Sequence, residues 1–193
     1  MVTRRQRLQF VNDFLNAFGR FKSLAANSRN ERVFELFCYF RKAHELVSRG
    51  KTIIPQKVKG RSFVPHSKPG NPLSASYISL LEPYCETFDL FLNGEFQGRS
   101  GVRHSPDIVL REKNSEKILS IYECKLHSGK LELPYYREFI GYLEEMRIPK
   151  RRHSVLSRNL YPELRSCIFT SAKARALHNP IRNLYDFDVI DKL

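Results

Sequence analysis

Apolar residues recur at helical spacing near the start of the chain. Between residues 5 and 25, five of them fall on one face of a helix: Leu8, Val11, Phe14, Leu15 and Phe18. This spacing is typical of an amphipathic helix. We expect residues 1–27 to form an N-terminal helical extension, with a mitochondrial presequence as the less favoured alternative.

A second helix is predicted from Asn27 or Ser28, either of which can cap it, to about Ser48. Its apolar residues form a wide stripe along the helix. Glu35 lies on that stripe, whereas basic residues occupy the far side.

The next part of the chain is harder to assign. Residues 51–75 are rich in proline and lysine, which predicts a basic loop with a short strand at Ser62–Val64. Residues 76–87 fit a short helix interrupted at Pro83.

From residue 87 onward, short apolar runs separated by turn residues are typical of strands. The predicted strands span residues 87–92, 107–111, 118–126, 167–172 and 185–190. Asn93-Gly94 and residues 112–117 are predicted turns, and a helix is predicted to begin at Leu133 or Pro134.

This order of elements predicts an α/β fold with a mixed central β-sheet flanked by helices, in the order αβββαβ. A helical crossover between the strands at 118–126 and 167–172 would make those two strands parallel neighbours. The length of 193 residues fits a single domain, with residues 28–193 as its core.

Composition adds a strong basic charge to this fold. The chain carries 33 Lys and Arg against 20 Asp and Glu, a net charge of +13. Such a field favours polyanionic partners, of which nucleic acid is the first candidate and an anionic membrane surface the second. No apolar run approaches the length of a membrane span. The four cysteines lack zinc spacing and are typical of buried reduced thiols, so we expect a cytoplasmic protein.

The main candidate for chemistry is the segment HSPDIVLREKNSEKILSIYECKLHSGK, residues 104–130. Strand side chains alternate between faces, so Glu123 and Lys125 share one face. If the turn at 112–117 pairs the two strands, Asp107 comes to the level of residue 122 or 123 on the neighbouring strand. The sequence therefore predicts two carboxyl groups and an ammonium at one place.

Such a set of groups suits a divalent metal. Asp107 and Glu123 offer carboxylate oxygens and Cys124 its backbone carbonyl, which are the hard ligands that Mg²⁺ prefers. A bound metal lowers the pKa of its water and offsets charge on a phosphate. Lys125 would lie beside that water and stabilise charge on the phosphorus centre.

Pro106-Asp107 followed by Glu123-Cys124-Lys125 resembles the signature of the PD-(D/E)xK nuclease superfamily, which has the restriction-endonuclease-like fold. The predicted order of elements also agrees with that family's core. The resemblance covers about residues 28–190 and implies metal-dependent hydrolysis of phosphodiester bonds, usually in DNA.

Members of that family also suggest supporting residues. Many carry a further acid on the helix before the strands, and Glu35 lies at that place, whereas Glu31 is better explained by capping or the helix dipole. Glu138 and Tyr142 lie on the helix after the motif, where members often place groups that support the site; ordinary helix-surface and core roles explain them equally well.

A simpler explanation of the motif is that Glu123 and Lys125 form an ion pair on a solvated face. The flanking residues of both strands are apolar, however, which favours central strands over a solvated surface. Acidic residues on central strands seldom lack a role.

Basic residues outside the motif are candidate contacts to a nucleic-acid backbone. The densest cluster follows the predicted helix: Arg147, Lys150, Arg151, Arg152 and Arg158. His104, just before the motif, is a further candidate for phosphate contact. A solvated connection explains the cluster equally well, and packing within its loop is the favoured explanation of the histidine.

The sequence therefore predicts a metal-dependent nuclease with Asp107, Glu123, Lys125 and Glu35 as catalytic residues, Mg²⁺ as cofactor, Mn²⁺ as a substitute and DNA as substrate. The alternative is a nucleic-acid-binding protein or an accessory subunit of a restriction, repair or transposition complex, inactive alone. A homodimer or a partner subunit is compatible with either function, and no membrane partner is expected.

Overall fold

The computed structural model describes residues 30–48, 51–58, 63–81, 87–148 and 165–191. Within those ranges the helices are α1 (Asn30–Ser48), α2 (Leu133–Glu145) and α3 (Asn179–Tyr185). The strands are β1 (Thr52–Gln56), β2 (Tyr77–Leu81), β3 (Thr87–Leu92), β4 (Phe96–Gln97), β5 (Arg103–His104), β6 (Ile108–Glu112), β7 (Ile118–Lys125), β8 (Cys167–Thr170) and β9 (Asp188–Ile190). Two short 3₁₀ turns cover Pro72–Ser74 and Ala176–His178.

Seven of these strands form one mixed sheet in the order β1-β2-β3-β6-β7-β8-β9. Neighbours from β1 to β7 are antiparallel, whereas β8 pairs with β7 and β9 pairs with β8 in parallel. The parallel pairing of β7 with β8 confirms the predicted crossover, which contains α2. The predicted α/β class with a mixed central sheet is confirmed.

The two faces of the sheet carry separate hydrophobic clusters, one beneath α1 and one beneath α2. Helix α1 buries Leu36, Tyr39 and Leu46 completely, and the Tyr39 hydroxyl donates a 2.9 Å hydrogen bond to the carbonyl of Leu90 on β3. Because helices cover both faces, β6 and β7 are central strands with long buried runs. None of the described helices combines the length and apolar character needed to cross a membrane.

Two strands lie where the sequence predicted other structure. Residues 52–56 form β1 within the expected basic loop, and Pro55 is accommodated because β1 is an edge strand of the described sheet. Residues 77–81 form β2 rather than a short helix, since Ile78 and Leu80 are buried beneath α1. Of the short strand expected at Ser62–Val64, residues 63 and 64 are described and they lie outside any strand.

The other predicted elements agree with the structure to different degrees. The strand at 87–92 and the helix start predicted at Leu133 or Pro134 are confirmed, and the strands predicted at 107–111 and 118–126 match β6 and β7 within one residue. The last strand is shorter than predicted because α3 extends to Tyr185. The N-terminal extension over residues 1–27 and the cap at Asn27 or Ser28 lie outside the described residues.

Asn93-Gly94 does not form the predicted hairpin turn. Residues 93–107 instead make an excursion between β3 and β6 that carries its own two-stranded sheet, β4 paired with β5. We call residues 96–104 the insertion hairpin. It is the largest departure from the predicted meander between β3 and β7.

Candidate active site

The pairing of β6 with β7 brings Asp107 and Glu123 together. Ile108 lies opposite Tyr122 in the antiparallel register, so Asp107, the residue just before β6 begins, comes to the level of Glu123. The backbone N–H of Asp107 donates to Glu123 Oε1 at 3.3 Å, and the N–H of Cys124 donates to Asp107 Oδ2 at 2.7 Å. Counting pairs inward from the turn left open whether Asp107 lies opposite residue 122 or 123. A register shift between Leu110 and Arg111 places it at the level of Glu123.

Lys125 lies on the same face of β7 as Glu123, as strand alternation predicts. Its Nζ is 3.0 Å from Glu123 Oε2 and 3.2 Å from Oε2 of Glu138 on α2. Only 3 % of Glu123 is exposed. Glu123 and Lys125 therefore do form the ion pair that the simpler explanation required, but Glu123 is buried and not on a solvated face.

The two acids are held in surroundings that oppose their ionisation. Burial, and after it the charge of Glu123, raises the pKa of Asp107 well above its usual range. Burial also raises the pKa of Glu123, against the opposing effect of Lys125 and the N–H of Asp107. The neighbouring carboxylates raise the pKa of Lys125 despite its own desolvation. The pKa values of both acids and of Lys125 are raised together because negative charge is in excess around these three residues.

Glu35 reaches the same place from α1. Burial and then the charge of Asp107 raise its pKa to about 7, although a hydrogen bond from Asn93 lowers it. The side-chain amide of Asn93 donates to Glu35 Oε2 at 3.0 Å, and its backbone N–H donates to the carbonyl of Asp107 at 2.7 Å. Asn93 thus links Glu35 to Asp107.

Sequence reasoning assigned Asn93 only to a turn. The residue does adopt a left-handed backbone conformation, with φ of 51°. Asparagine tolerates that conformation better than other non-glycine residues. Its position directly after a buried strand is the one feature of the sequence that could have indicated a role for Asn93. Its contact with Glu35 depends on the tertiary packing of α1.

Helix α2 supplies two further groups. Glu138 contacts Lys125, and Tyr142 lies one turn further along the same side of the helix. Burial, followed by the charges of Glu123 and Glu138, raises the pKa of Tyr142 to about 12. The Tyr142 hydroxyl therefore stays protonated at neutral pH and can donate a hydrogen bond near the acids.

The donor set is chemically suited to Mg²⁺, although among the described residues no group of three or more His, Cys, Asp and Glu side chains is arranged to hold an ion. Asp107 and Glu123 form a contacting pair, while Glu35 acts on Asp107 through its charge. Three carboxyl groups (Asp107, Glu123 and Glu138) act on the ammonium of Lys125, and Glu35 adds a fourth through Asp107, so a divalent cation would offset negative charge at this site.

The backbone of Cys124 completes this set of oxygens. In a strand, the N–H and C=O of one residue point toward the same neighbouring strand. Since the N–H of Cys124 binds Asp107, the Cys124 carbonyl also faces the side of Asp107, just before β6 begins. The Cys124 thiol lies on the opposite face, and burial raises its pKa well above the usual value, so sulfur ligation is not expected.

The candidate nucleic-acid contacts are only partly described. His104 Nε2 lies 3.4 Å from Glu145, and its ring packs edge-on against Tyr142 at 5.9 Å. Arg147 is exposed just after α2. The other predicted members of the cluster lie outside the described residues: Lys150, Arg151, Arg152 and Arg158.

Comparison with known proteins gives no further assignment. No family model, no curated protein and no solved structure matches the chain.

Proposed function

We propose that this protein is a metal-dependent nuclease that hydrolyses phosphodiester bonds of DNA. The observation that carries the proposal is the desolvated contact between Asp107 and Glu123, with Lys125 3.0 Å from Glu123. Two acids in contact, one buried and one half-buried, destabilise the fold, and clusters of strongly shifted pKa values are typical of active sites.

The arrangement supports a specific division of roles. Asp107, Glu123 and the Cys124 carbonyl would hold Mg²⁺, for which Mn²⁺ can substitute, and Glu35 would help to bind it directly or through water. The bound ion supplies a water of lowered pKa and neutralises charge on the phosphate. Lys125 keeps its proton and donates to the attacking water or to a phosphate oxygen, while Glu138 and Tyr142 orient it.

The proposal extends to the fold. The acids follow the pattern of Pro106-Asp107 and Glu123-Cys124-Lys125, on neighbouring antiparallel strands with a helix on either side of the sheet. We infer that the α/β core is restriction-endonuclease-like. The net charge of +13 supports a polyanionic substrate.

Divalent-dependent cleavage tests this function. Purified protein should cut plasmid, linear or branched DNA in Mg²⁺ or Mn²⁺ but not in EDTA. Glu123→Gln and Lys125→Met should lose cleavage while retaining DNA affinity, because basic surface residues supply that affinity. Inactivity with all three DNA forms in both metals would contradict the proposal.

The alternative, a nucleic-acid-binding or accessory subunit that is inactive alone, draws on the charge of +13. It predicts salt-sensitive DNA binding without metal-dependent turnover, or turnover that appears only after a partner protein is added. The buried acid pair favours the nuclease, since binding of an anionic polymer requires no desolvated carboxylates.

A further inference from the structure

The insertion hairpin begins and ends at the candidate active site. Asn93 and Asp107 flank it in sequence and are joined by the 2.7 Å hydrogen bond from the N–H of Asn93 to the carbonyl of Asp107. The side-chain amide of Asn93 also donates to Glu35, and the carboxylate of Asp107 accepts from the N–H of Cys124. The base of the hairpin is therefore fixed to the acidic groups.

The body of the hairpin is fixed to the end of α2 through Glu145. The N–H of Arg99 donates to the Glu145 carbonyl at 2.7 Å. The N–H and hydroxyl of Ser100 donate to Glu145 Oε2 at 3.0 and 2.7 Å. Phe96 anchors the other side, in the core against Phe91 at 5.8 Å. The hairpin is thus attached at both its base and its tip.

The tip, residues 98–103, presents basic and apolar groups to solvent. Gly101, with φ of 85°, permits the tight turn that the N–H of Gly98 closes by donating to the carbonyl of Val102 at 2.8 Å. Val102 is 57 % exposed, the largest value for a bulky apolar residue within the described ranges. Arg99 and Arg103 are exposed, and the guanidinium of Arg103 makes a 3.8 Å contact with Glu95, which contributes little on the surface.

We propose that this tip binds the nucleic-acid strand next to the phosphate to be cut. Arg99 and Arg103 bind backbone phosphates, for which the planar guanidinium is well suited. Val102 packs against an exposed sugar or base edge, as apolar side chains do in groove-binding proteins. The position of the tip relative to the cut rests on the proposed nuclease function, whereas the binding role does not.

A charge-matched pair of double variants tests the binding role. Arg99→Ala/Arg103→Ala removes two positive charges from the tip. Lys113→Ala/Lys117→Ala removes two exposed charges from the turn at the far end of β6 and β7. Affinity for a labelled DNA duplex is measured in EDTA over a range of salt, so cleavage does not interfere.

The tip variant should bind about tenfold more weakly at fixed salt, and its log–log salt slope should be shallower by about 2, because two phosphate contacts are lost. The turn variant should change both quantities much less. Equal losses in the two variants would overturn the proposal, because the effect would then follow overall charge. No loss in the tip variant would overturn it as well, because the tip would then make no contact with the DNA.

A second comparison addresses the apolar contact and the cut. Val102→Ala should weaken binding about threefold, while Leu184→Ala, an exposed control on α3, should not. Reduced binding by the tip variants of a protein that never cleaves would support the interface and reject the nuclease. Active cleavage with normal binding by both tip variants would support the nuclease and reject the interface.

Discussion

Asp107 is held against its electrostatic preference. Desolvation and the charge of Glu123 destabilise its carboxylate. The 2.7 Å hydrogen bond from the Cys124 N–H stabilises it. Uncharged asparagine could accept the same bond. Groups that bind ligands are often destabilising in the free protein, so Asp107 should show a conflict between stability and activity.

We therefore expect Asp107→Asn to be more stable than the native protein at pH 8 without metal, by about 1–2 kcal/mol. The same variant should lose cleavage at least about 100-fold, because its metal ligand and charge are gone. Urea unfolding and a plasmid assay measure the two effects. Glu116→Gln, which alters an exposed acid in the β6–β7 turn, is the control and should change neither. A less stable Asp107→Asn protein would show that the carboxylate is structural.

Glu35 makes a pH-dependent contribution of known sign. Its folded-state pKa, about 7, lies above the ordinary value of 4.5. The native state therefore binds more protons than the unfolded state between these values, and stability falls as pH rises through about 7. Glu35→Gln removes this loss and can still accept the Asn93 hydrogen bond.

In EDTA, Glu35→Gln should match the native protein near pH 4 and exceed its unfolding free energy at pH 8 by up to about 3 kcal/mol. Denaturant titrations across that pH range measure the difference. Glu31→Gln, an exposed acid one turn earlier, is the control and should show no such divergence. A constant difference at all pH values would contradict the assigned pKa.

At the scale of elements, α2 positions Lys125. The helix is docked through Tyr136, Phe139 and Leu143, which are buried in the cluster on its side of the sheet. From that position Glu138 contacts Lys125 at 3.2 Å. Because Glu138 is half exposed, the pair should contribute little to stability and mainly fix the direction of the ammonium.

Glu138→Gln should therefore lower kcat about tenfold with little change in KM or melting temperature, since it loosens a group used in the reaction rather than in binding. Glu144→Gln, an exposed acid on the same helix, is the matched control. Steady-state cleavage of a defined oligonucleotide gives both parameters. A change confined to KM would instead place Glu138 in substrate binding.

The elements also show what the sequence could predict. Residues 107, 123 and 125 could be placed because strand alternation and a short turn act locally, and a shift of one residue does not separate the groups. β1 and β2 were missed because Pro55 and Pro83 suggested breaks, while the burial that makes these segments strands comes from α1. The Asn93–Glu35 contact was not predictable, since it joins residues 58 positions apart.

At the scale of the whole molecule, the sheet joins two layers that each supply part of the site. Glu35 comes from α1 on one face, whereas Glu138 and Tyr142 come from α2 on the other. The acids meet just before β6 begins, beside Cys124 on β7. Ligand binding there should stabilise the folded chain as a unit.

Metal binding should accordingly raise the melting temperature in a pH-dependent way. Glu35, with a pKa of about 7, carries a proton at pH 5, and the raised pKa values of Asp107 and Glu123 favour their protonated forms in the same direction. Protons on these acids must be released before a cation binds. At pH 8 Glu35 is mostly ionised, and the free protein is less stable for the reason given above. Mg²⁺ removes that penalty because it binds the native state and not the unfolded one.

At 100 times its dissociation constant, Mg²⁺ should stabilise the protein by about 2.7 kcal/mol at pH 8, or about 5–10 °C for a chain of this length. The shift should be much smaller at pH 5 and absent at both pH values in Asp107→Asn/Glu123→Gln. Scanning calorimetry with Mg²⁺ and with matched ionic strength of Na⁺ separates specific binding from screening. A shift that persists in the double variant would locate the cation elsewhere on the protein, and the excess negative charge at Asp107 and Glu123 would then be balanced by protons alone.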